Sequence, residues 1–263
     1  MNVVNNLNEI EKNVKTILTV GTFDGVHIGH QKIIHELTQR AKLFGYRSFV
    51  LTFDPHPQKV VGKNTAIKLL TTTSEKIRIL ESLNVENLFF INFTLEFSQL
   101  TSEDFFKKII LEKFGLAEII VGFDHKFGKG RDGDENKIRE WSDEFGFTVT
   151  HIDAVQIDDK KVSSTAIREM LNQGRVAEAN QFLGRNYSFV GKVVEGDKRG
   201  RTIGFPTANL ELCDSDKILP ANGVYAVQVM LGERKFFGMM NIGKRPTFSD
   251  TEKILTEVNI FEF

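Results

Sequence analysis

The chain has few of the residues that build disulfide frameworks, secretion signals or membrane anchors. Its 263 residues include one cysteine, Cys213, which excludes an internal disulfide and is typical of a reducing compartment. Residues 1–15 have no apolar core and do not resemble a signal peptide. No apolar run approaches the roughly 20 residues that cross a bilayer. These absences predict a soluble, cytoplasmic protein without a membrane partner.

An excess of one charge sign is also missing. The chain has 34 Lys and Arg against 35 Asp and Glu, a formal net charge of −1. A general nucleic-acid binder normally shows a basic excess or a basic stripe, so we expect no nucleic-acid partner. Tryptophan and tyrosine are rare beside 23 phenylalanines, which favours a core filled by Phe. The six histidines all lie at or before His151, which indicates that the two ends of the chain do different chemistry.

The first 185 residues alternate apolar runs with amphipathic segments, a pattern typical of a parallel sheet wound on both faces by helices. The predicted strands are at 17–20, 48–53, 88–93, 118–121 and 147–152. One predicted helix ends at Gly45, and others are capped by Ser74, by Thr101 and by Ser163 or Ser164. After residue 185, glycines separate short β runs, which predicts an antiparallel barrel or sandwich. The predicted domains are therefore 1–185 and 186–263.

The segment "GTFDGVHIGH", residues 21–30, joins the first predicted strand to a helix. Ligands bind beyond the carboxyl ends of parallel strands, and a helix N-terminus attracts anions. Glycines permit tight turns and close approach of the backbone to a ligand. His27 and His30 are three residues apart and face the same way, so together they can hold phosphate oxygens. Two alternatives remain for this pair: capping and packing, or a zinc pair that lacks an evident third ligand.

Three further segments lie at predicted strand or helix ends, namely "TFDPHP" at 52–57, "VGFDHKFGKGRDGD" at 121–134 and "SSTAIR" at 163–168. In the last, the hydroxyls of 163–165 and the guanidinium of Arg168 form the elements of a phosphate clamp. Taken alone, "SSTAIR" reads as an ordinary N-cap, while "FDPHP" is also typical of a rigid strand exit and Asp124 of a turn. Their joint occurrence favours a nucleotide site.

These segments resemble a known family. "GTFDGVHIGH" is similar to the HxGH signature of the nucleotidyltransferase superfamily, and all four segments resemble the FMN adenylyltransferase module of bacterial FAD synthetases. The resemblance implies a Rossmann-like nucleotidyltransferase fold in which His27, His30 and Arg168 are catalytic. It implies that the pockets for ATP and FMN are lined by Gly21, Phe23, Asp24, Gly29, Asp54, His56, Asp124, Ser163, Ser164 and Thr165. It also implies Mg²⁺ as a charge partner. One departure is His125, where Phe is more common in this family.

The segment "GRTIGFPTANL", residues 200–210, carries oxygen donors in the second half of the chain. Thr207 and Asn209 lie on one side of an extended chain and suit Mg²⁺, although alone the segment reads as a glycine-proline loop. It resembles the PTAN motif of riboflavin kinases, and "NGVYAV", "NIGKRPTF" and "TEVNIFEF" follow in that family's order. The resemblance implies a β-barrel kinase domain with Glu257 as general base and with ATP and riboflavin held by Gly200, Arg201, Gly204, Pro206, Thr207 and Asn209.

The resemblance covers nearly the whole chain and is to the prokaryotic bifunctional riboflavin kinase/FMN adenylyltransferases. It implies that ATP phosphorylates riboflavin to FMN and then adenylylates FMN to FAD. The family's pattern continues beyond the strand that bears Glu257, whereas this chain ends at Phe263, so we expect a truncated kinase domain. The alternatives are an FAD synthase with an inert second domain, a flavin- or nucleotide-binding regulator, and a class I aminoacyl-tRNA synthetase relative. The last lacks a KMSKS-type motif and basic character.

Overall fold

The computed structural model describes residues 1–62, 67–195, 206–244 and 254–263. The chain forms two compact units, the first being Met1–Ser164 with Phe182–Gly184 and the second Thr165–Gln181 with Arg185–Phe263. The predicted domain boundary near residue 185 stays a prediction. Within the described residues, no helix combines the length and the apolar character that a bilayer-spanning segment needs.

A six-stranded parallel sheet forms the centre of the first unit. All five strands predicted in this region are confirmed, and a sixth precedes them at the N-terminus. That strand is only three residues long, too short to give a periodic signal. The strands are β1 (Asn2–Val4), β2 (Lys15–Val20), β3 (Arg47–Asp54), β4 (Asn87–Asn92), β5 (Gly115–Gly122) and β6 (Thr148–Ile152).

Helices follow the strands as predicted, with one correction at a helix start. The predicted cap Ser74 is wrong: Thr72 caps this helix, and its hydroxyl and the Glu75 carboxylate form a capping box. Thr101 and Gly45 do terminate helices as predicted. The helices are α1 (Ile28–Phe44), α2 (Pro57–Val61), α3 (Thr73–Ser82), α4 (Ser102–Phe105) continued by a π turn (Phe106–Leu111), α5 (Glu135–Phe145), α6 (Ser164–Asn172) and α7 (Val176–Leu183). A short hairpin of β7 (Gln156–Ile157) and β8 (Lys160–Lys161) precedes α6.

Alternate residues of the strands fill two separate apolar layers. Leu18 and Val121 lie in the layer that contains Phe106 and Trp141, whose rings stack with centroids 4.7 Å apart. Ile17 and its neighbours from β3, β4 and β5 lie in the other layer, against the buried face of α1. Burial of both sheet faces explains why the strands read as continuous apolar runs, and it confirms the predicted doubly wound, Phe-rich core.

The order of the strands determines where a ligand site can form. The sheet runs β1-β4-β3-β2-β5-β6, so the chain moves one way from β2 to β3 and β4 and then crosses back to β5. The direction of winding therefore reverses between β2 and β5. Ligands of open parallel sheets bind at the carboxyl edge of this switch point. The loop that follows β2 begins at that edge.

The second unit is built around a five-stranded antiparallel sheet in the order β11-β12-β13-β10-β9. The predicted antiparallel β architecture is confirmed and is consistent with a kinase barrel. Buried Met240, Ile242 and Val258 form the centre of its core, with Tyr225 packed against them. The strands are β9 (Gly191–Val194), β10 (Ala208–Leu212), β11 (Gly223–Leu231), β12 (Arg234–Lys244) and β13 (Ile254–Ile260).

The loop at 123–134, which follows β5, contains three glycines, and the two with positive φ, Gly128 and Gly130, differ in their surroundings. Gly128 has φ +78°, and a Cβ there would lie 2.5 Å from the Ser102 backbone nitrogen. Gly130 has φ +64°, and a Cβ there would meet nothing within 4 Å. We expect Gly130→Ala to lower the free energy of unfolding by about 1 kcal/mol through backbone strain alone. Gly128→Ala adds a clash with backbone and should lower it by roughly two to three times as much, measured by urea denaturation. Equal losses would contradict this packing.

The same loop contains a histidine, His125, that should make the folded protein less stable at acid pH. Burial lowers the pKa of His125 to about 4, although the nearby carboxylates of Asp124 and Glu135 act in the opposite direction. The unfolded chain binds a proton at this imidazole below a pH of about 6.5, whereas the folded protein does not. Stability therefore declines as the pH falls from about 6.5 towards 4.

His125→Phe removes this titration. We expect the variant to lose about 1 to 2 kcal/mol less stability than the unsubstituted protein between pH 7 and pH 5, because one pKa unit is worth about 1.4 kcal/mol. Urea denaturation at both pH values measures the difference. Parallel stability curves for the two proteins would show that the imidazole is not desolvated.

Candidate functional site

The loop after β2 turns sharply to deliver two histidines to the start of α1. Phe23 and Val26 have φ of +46° and +38°, and Phe23 is buried. His27 is the N-cap of α1, and its Nδ1 accepts a hydrogen bond from the His30 backbone N–H at 3.3 Å. An imidazole that accepts at Nδ1 carries its proton at Nε2. The capping alternative therefore holds for His27, and capping fixes the orientation of its ring.

The two imidazoles lie face to face, with centroids 3.6 Å apart and planes 15° from parallel. The edge of Phe23 packs against His30 at 5.1 Å. Gly29 leaves room for this stack, because a Cβ there would lie 3.2 Å from the His27 ring. Gly21 similarly leaves room for Phe23, because a Cβ at Gly21 would lie 3.1 Å from the Phe23 ring. These two glycines therefore allow the protein's own aromatic and imidazole rings to lie close to the backbone.

His30 is a neutral hydrogen-bonding group in the free protein. Burial lowers its pKa well below the ordinary value, and the nearby charges of His27 and Lys76 lower it further. Its Nδ1 is buried and has no hydrogen-bond partner within the part of the chain that the structure describes. A buried polar atom without a partner is costly and is common where a ligand completes the site. An anion bound there would raise this pKa.

Asp24 holds the loop to the segment that precedes α3. It is 2% exposed, and its carboxylate accepts hydrogen bonds from the backbone N–H of Leu70 and Thr71 and from the Thr71 hydroxyl, all at 3.0–3.1 Å. The Ser164 hydroxyl donates to the Asp24 carbonyl at 2.8 Å. Asp24, a predicted pocket residue, thus also has a structural function, and Ser164 is held at the first loop.

Lys76 of α3 belongs to this site and was missed by the sequence analysis. Its side chain is buried, and Nζ donates to the Thr22 carbonyl at 2.7 Å and to the Thr52 hydroxyl at 3.3 Å. Burial lowers its pKa, while the carboxylates of Asp24 and Asp54 act to raise it. A signal was present, because Lys76 lies four residues before the buried Leu80 and shares its helix face.

The other predicted residues of the first unit lie at neighbouring strand and helix ends. Asp54 ends β3, is exposed, and accepts a hydrogen bond from the Thr73 hydroxyl at 3.0 Å. His56 caps α2 by accepting the Gln58 N–H at 3.2 Å. Asp124 is exposed after β5. Strands β2, β3 and β5 are adjacent and parallel, so these groups share the carboxyl edge of the sheet.

The predicted phosphate clamp spans the start of α6. The helix begins at Ser164, Ser163 is half-buried, and Thr165 is exposed. Arg168 is half-buried one turn later, in the part of the helix that belongs to the second unit. A joint action of Arg168 and the two histidines stays a prediction.

In the second unit, strand register brings two predicted kinase residues together. Asn209 of β10 lies directly opposite Glu257 of β13, although 47 residues separate them in the sequence. Asn241 of β12 lies opposite Glu257 on its other side. Side chains directly opposite each other in an antiparallel pair share a face, with Cβ atoms about 5 Å apart. The three polar side chains therefore form a row across three strands, and Asn241 is an addition to the predicted set.

The remaining kinase residues lie beside this row or outside the described residues. Thr207 is exposed, two residues before Asn209 and immediately before the start of β10. The Pro206 carbonyl accepts a hydrogen bond from Asn259 Nδ2 at 2.8 Å. Three other predicted residues, Gly200, Arg201 and Gly204, lie outside the residues that the structure describes.

The oxygen donors of the second unit and the histidine pair of the first unit suit different metals. Asn209 and Glu257, opposite each other, and Thr207, just before β10, offer amide, carboxylate and hydroxyl oxygens, which are the hard donors that Mg²⁺ prefers. Within residues 1–62, 67–195, 206–244 and 254–263, no group of three or more His, Cys, Asp or Glu side chains could hold a metal ion. The zinc alternative for His27 and His30 thus lacks a third ligand in those ranges.

Comparison with known proteins matches each half of the chain to a family model. Residues 9–166 match FAD synthetase, and residues 183–263 match riboflavin kinase. Proteins named bifunctional riboflavin kinase/FMN adenylyltransferase are 37% identical in Listeria monocytogenes over 95% of this chain and 79% of the relative. The Bacillus subtilis relative is 39% identical over 96% of this chain and 80% of its own length.

A solved structure also shares the fold over nearly the full chain. A crystal structure from Streptococcus pneumoniae, named a macrolide-efflux protein, matches with a TM-score of 0.88 and 33% identity, covering 99% of this chain and 84% of that one. It supports the architecture, while the family models and the curated relatives agree on flavin nucleotide enzymes. The chain belongs to the family of bifunctional riboflavin kinase/FMN adenylyltransferases.

Proposed function

We propose that this chain makes FAD from riboflavin in two ATP-dependent steps, phosphorylation to FMN in the second unit and adenylylation of FMN in the first. The observation that carries the proposal is that one chain holds two separate polar sites, each with the groups that one step needs. The first has stacked imidazoles at a helix N-terminus on the sheet switch point. The second has an amide and a carboxylate brought face to face by strand register.

Adenylylation is a direct transfer without a covalent enzyme intermediate. A phosphate oxygen of FMN attacks the α-phosphorus of ATP, the bond from that phosphorus to the bridging oxygen breaks, and pyrophosphate leaves with the electron pair. Negative charge grows on the leaving group, so the site must supply hydrogen bonds and positive potential. His27 and His30 donate hydrogen bonds to the transferring and leaving phosphates, and the N-terminus of α1 adds its dipole. Arg168 and the hydroxyls of 163–165 bind the β- and γ-phosphates in this proposal.

The kinase step requires a base and neutralisation of the triphosphate. Glu257 takes the proton of the ribityl 5′-hydroxyl as that oxygen attacks the γ-phosphorus and ADP leaves. Thr207 and Asn209 would hold Mg²⁺, which when bound offsets the charge of the ATP phosphates. Asn209 and Glu257 lie opposite each other, so the same row of side chains positions the nucleotide and the reacting hydroxyl.

The test is chromatography of flavins after the protein is mixed with MgATP and either riboflavin or FMN. Both conversions should occur, and chelation of divalent cations should stop both. Conversion of FMN to FAD without conversion of riboflavin to FMN would overturn the kinase half. Turnover of neither flavin by the folded protein would overturn the whole proposal.

Reciprocal variants assign each reaction to its site. We expect His30→Ala to lower FAD formation by about 10³-fold, because hydrogen bonds to the developing charge are lost, and to leave FMN formation unchanged. Asn209→Ala should do the reverse. Each variant is thus the control for the other, with circular dichroism to confirm folding. Loss of both activities in either folded variant would show that the division of labour is wrong.

A further inference from the structure

Lys76 is a buried ammonium group placed where three elements meet. Its Nζ lies 2.7 Å from the carbonyl of Thr22 in the loop after β2, and 3.3 Å from the hydroxyl of Thr52 in β3. The Thr52 hydroxyl also donates to the Thr22 carbonyl, at 3.1 Å. Lys76 is 6% exposed and Thr52 is fully buried. The network joins the carboxyl ends of β2 and β3 to α3, directly before the segment that carries Phe23 and the histidines.

Burial of this charge is costly and calls for a compensating function. An apolar side chain of similar length fills the same volume without desolvation of an ammonium group. The Thr22 carbonyl would still have the Thr52 hydroxyl as donor. The positive charge therefore contributes something that packing and a single hydrogen bond do not provide.

The surroundings of Lys76 show what that contribution is. Two carboxylates face it, Asp24 from the loop and Asp54 from the end of β3, and both favour its charged form. Its charge also acts on His30: burial lowers the pKa of the His30 imidazole most, the charge of His27 lowers it further, and the charge of Lys76 adds a smaller effect in the same direction. The ammonium group thus adds positive potential beside a ring whose Nδ1 has no partner in the described chain.

We propose that Lys76 is a positioning residue for FMN adenylylation, which anchors the loop after β2 through the Thr22 carbonyl and places a fixed positive charge next to the loop that carries the two histidines. This inference rests on the proposed function of the first unit. Lys76 acts through Thr22 and His30 and need not touch the substrate. Its positive charge also favours the anionic transition state from a fixed position, at no cost of reorganisation.

The test compares three variants of the full chain. Lys76→Met keeps the length and the burial but removes the charge. Lys76→Arg keeps the positive charge but replaces the ammonium group by a larger, planar guanidinium. Lys42→Met removes a lysine charge from the exposed far end of α1, twelve residues and about 18 Å from His30 along the helix, and is the matched control. NMR titration of the His30 imidazole, assigned from the signal lost in His30→Ala, gives its pKa without substrate.

We expect Lys76→Met to raise the pKa of His30 and to move the acid limb of the pH profile of FAD formation upward. It should also lower kcat by roughly 10- to 100-fold, since a misplaced loop misaligns the reacting groups. Lys76→Arg should keep the His30 titration close to that of the unsubstituted protein while lowering kcat. Lys42→Met should change neither quantity, because solvent and salt screen its charge at that distance.

The outcomes separate this inference from the proposed function. If the unsubstituted protein forms no FAD, the proposed function fails, and the inference falls with it whatever the titration shows. If it forms FAD and folded Lys76→Met leaves both the His30 titration and the pH profile unchanged, only the role of Lys76 is overturned. If Lys76→Met does not fold, a Lys76→Arg variant with a shifted His30 titration would overturn it instead.

Discussion

The first site depends on one hydrogen bond, from the His30 backbone N–H to Nδ1 of His27. It caps α1, so the helix starts where its dipole points at the switch point of the sheet. It also fixes which nitrogen of His27 carries the proton and holds that ring against the His30 ring. Helix start, tautomer and ring stack are therefore set together, and a change in the loop that moved His27 would disturb all three.

The sequence was sufficient to predict the elements but not the directions of the polar side chains. Five strands of the first sheet can be predicted from their apolar runs. Both faces of the sheet are buried, so the apolar residues of each strand are continuous and do not alternate with polar ones. The helix cap was harder, since four hydroxyl residues in a row at 71–74 all suit an N-cap. The Glu75 carboxylate settles the matter, as it pairs back to Thr72 and not to Ser74.

Roles that depend on tertiary contacts were the ones that the sequence alone could not supply. The segment that contains β10 reads as a glycine-proline loop when taken alone, because its strand character comes from pairing with β9 and β13 and not from its own composition. Asp24 is predicted to line a ligand pocket, which stays a prediction, and the contacts add that its carboxylate accepts hydrogen bonds from backbone donors far along the chain. Lys76 resembles any surface lysine of an amphipathic helix until the fold buries it beside Thr22. The resemblance to a family identified the chemistry, and contacts are needed to assign the supporting residues.

The first site has little net charge of its own. Lys76 is balanced by Asp24 and Asp54, and the burial that surrounds His30 keeps its imidazole neutral. A net charge of −1 for the whole chain agrees with such a site. Three groups in this region favour an anion: the N-terminus of α1, the neutral His30 ring, whose Nδ1 has no partner in the described chain, and the Lys76 ammonium group, which is held by the Thr22 carbonyl. In the proposed reaction, a triphosphate would be favoured by the orientation of these groups more than by bulk charge.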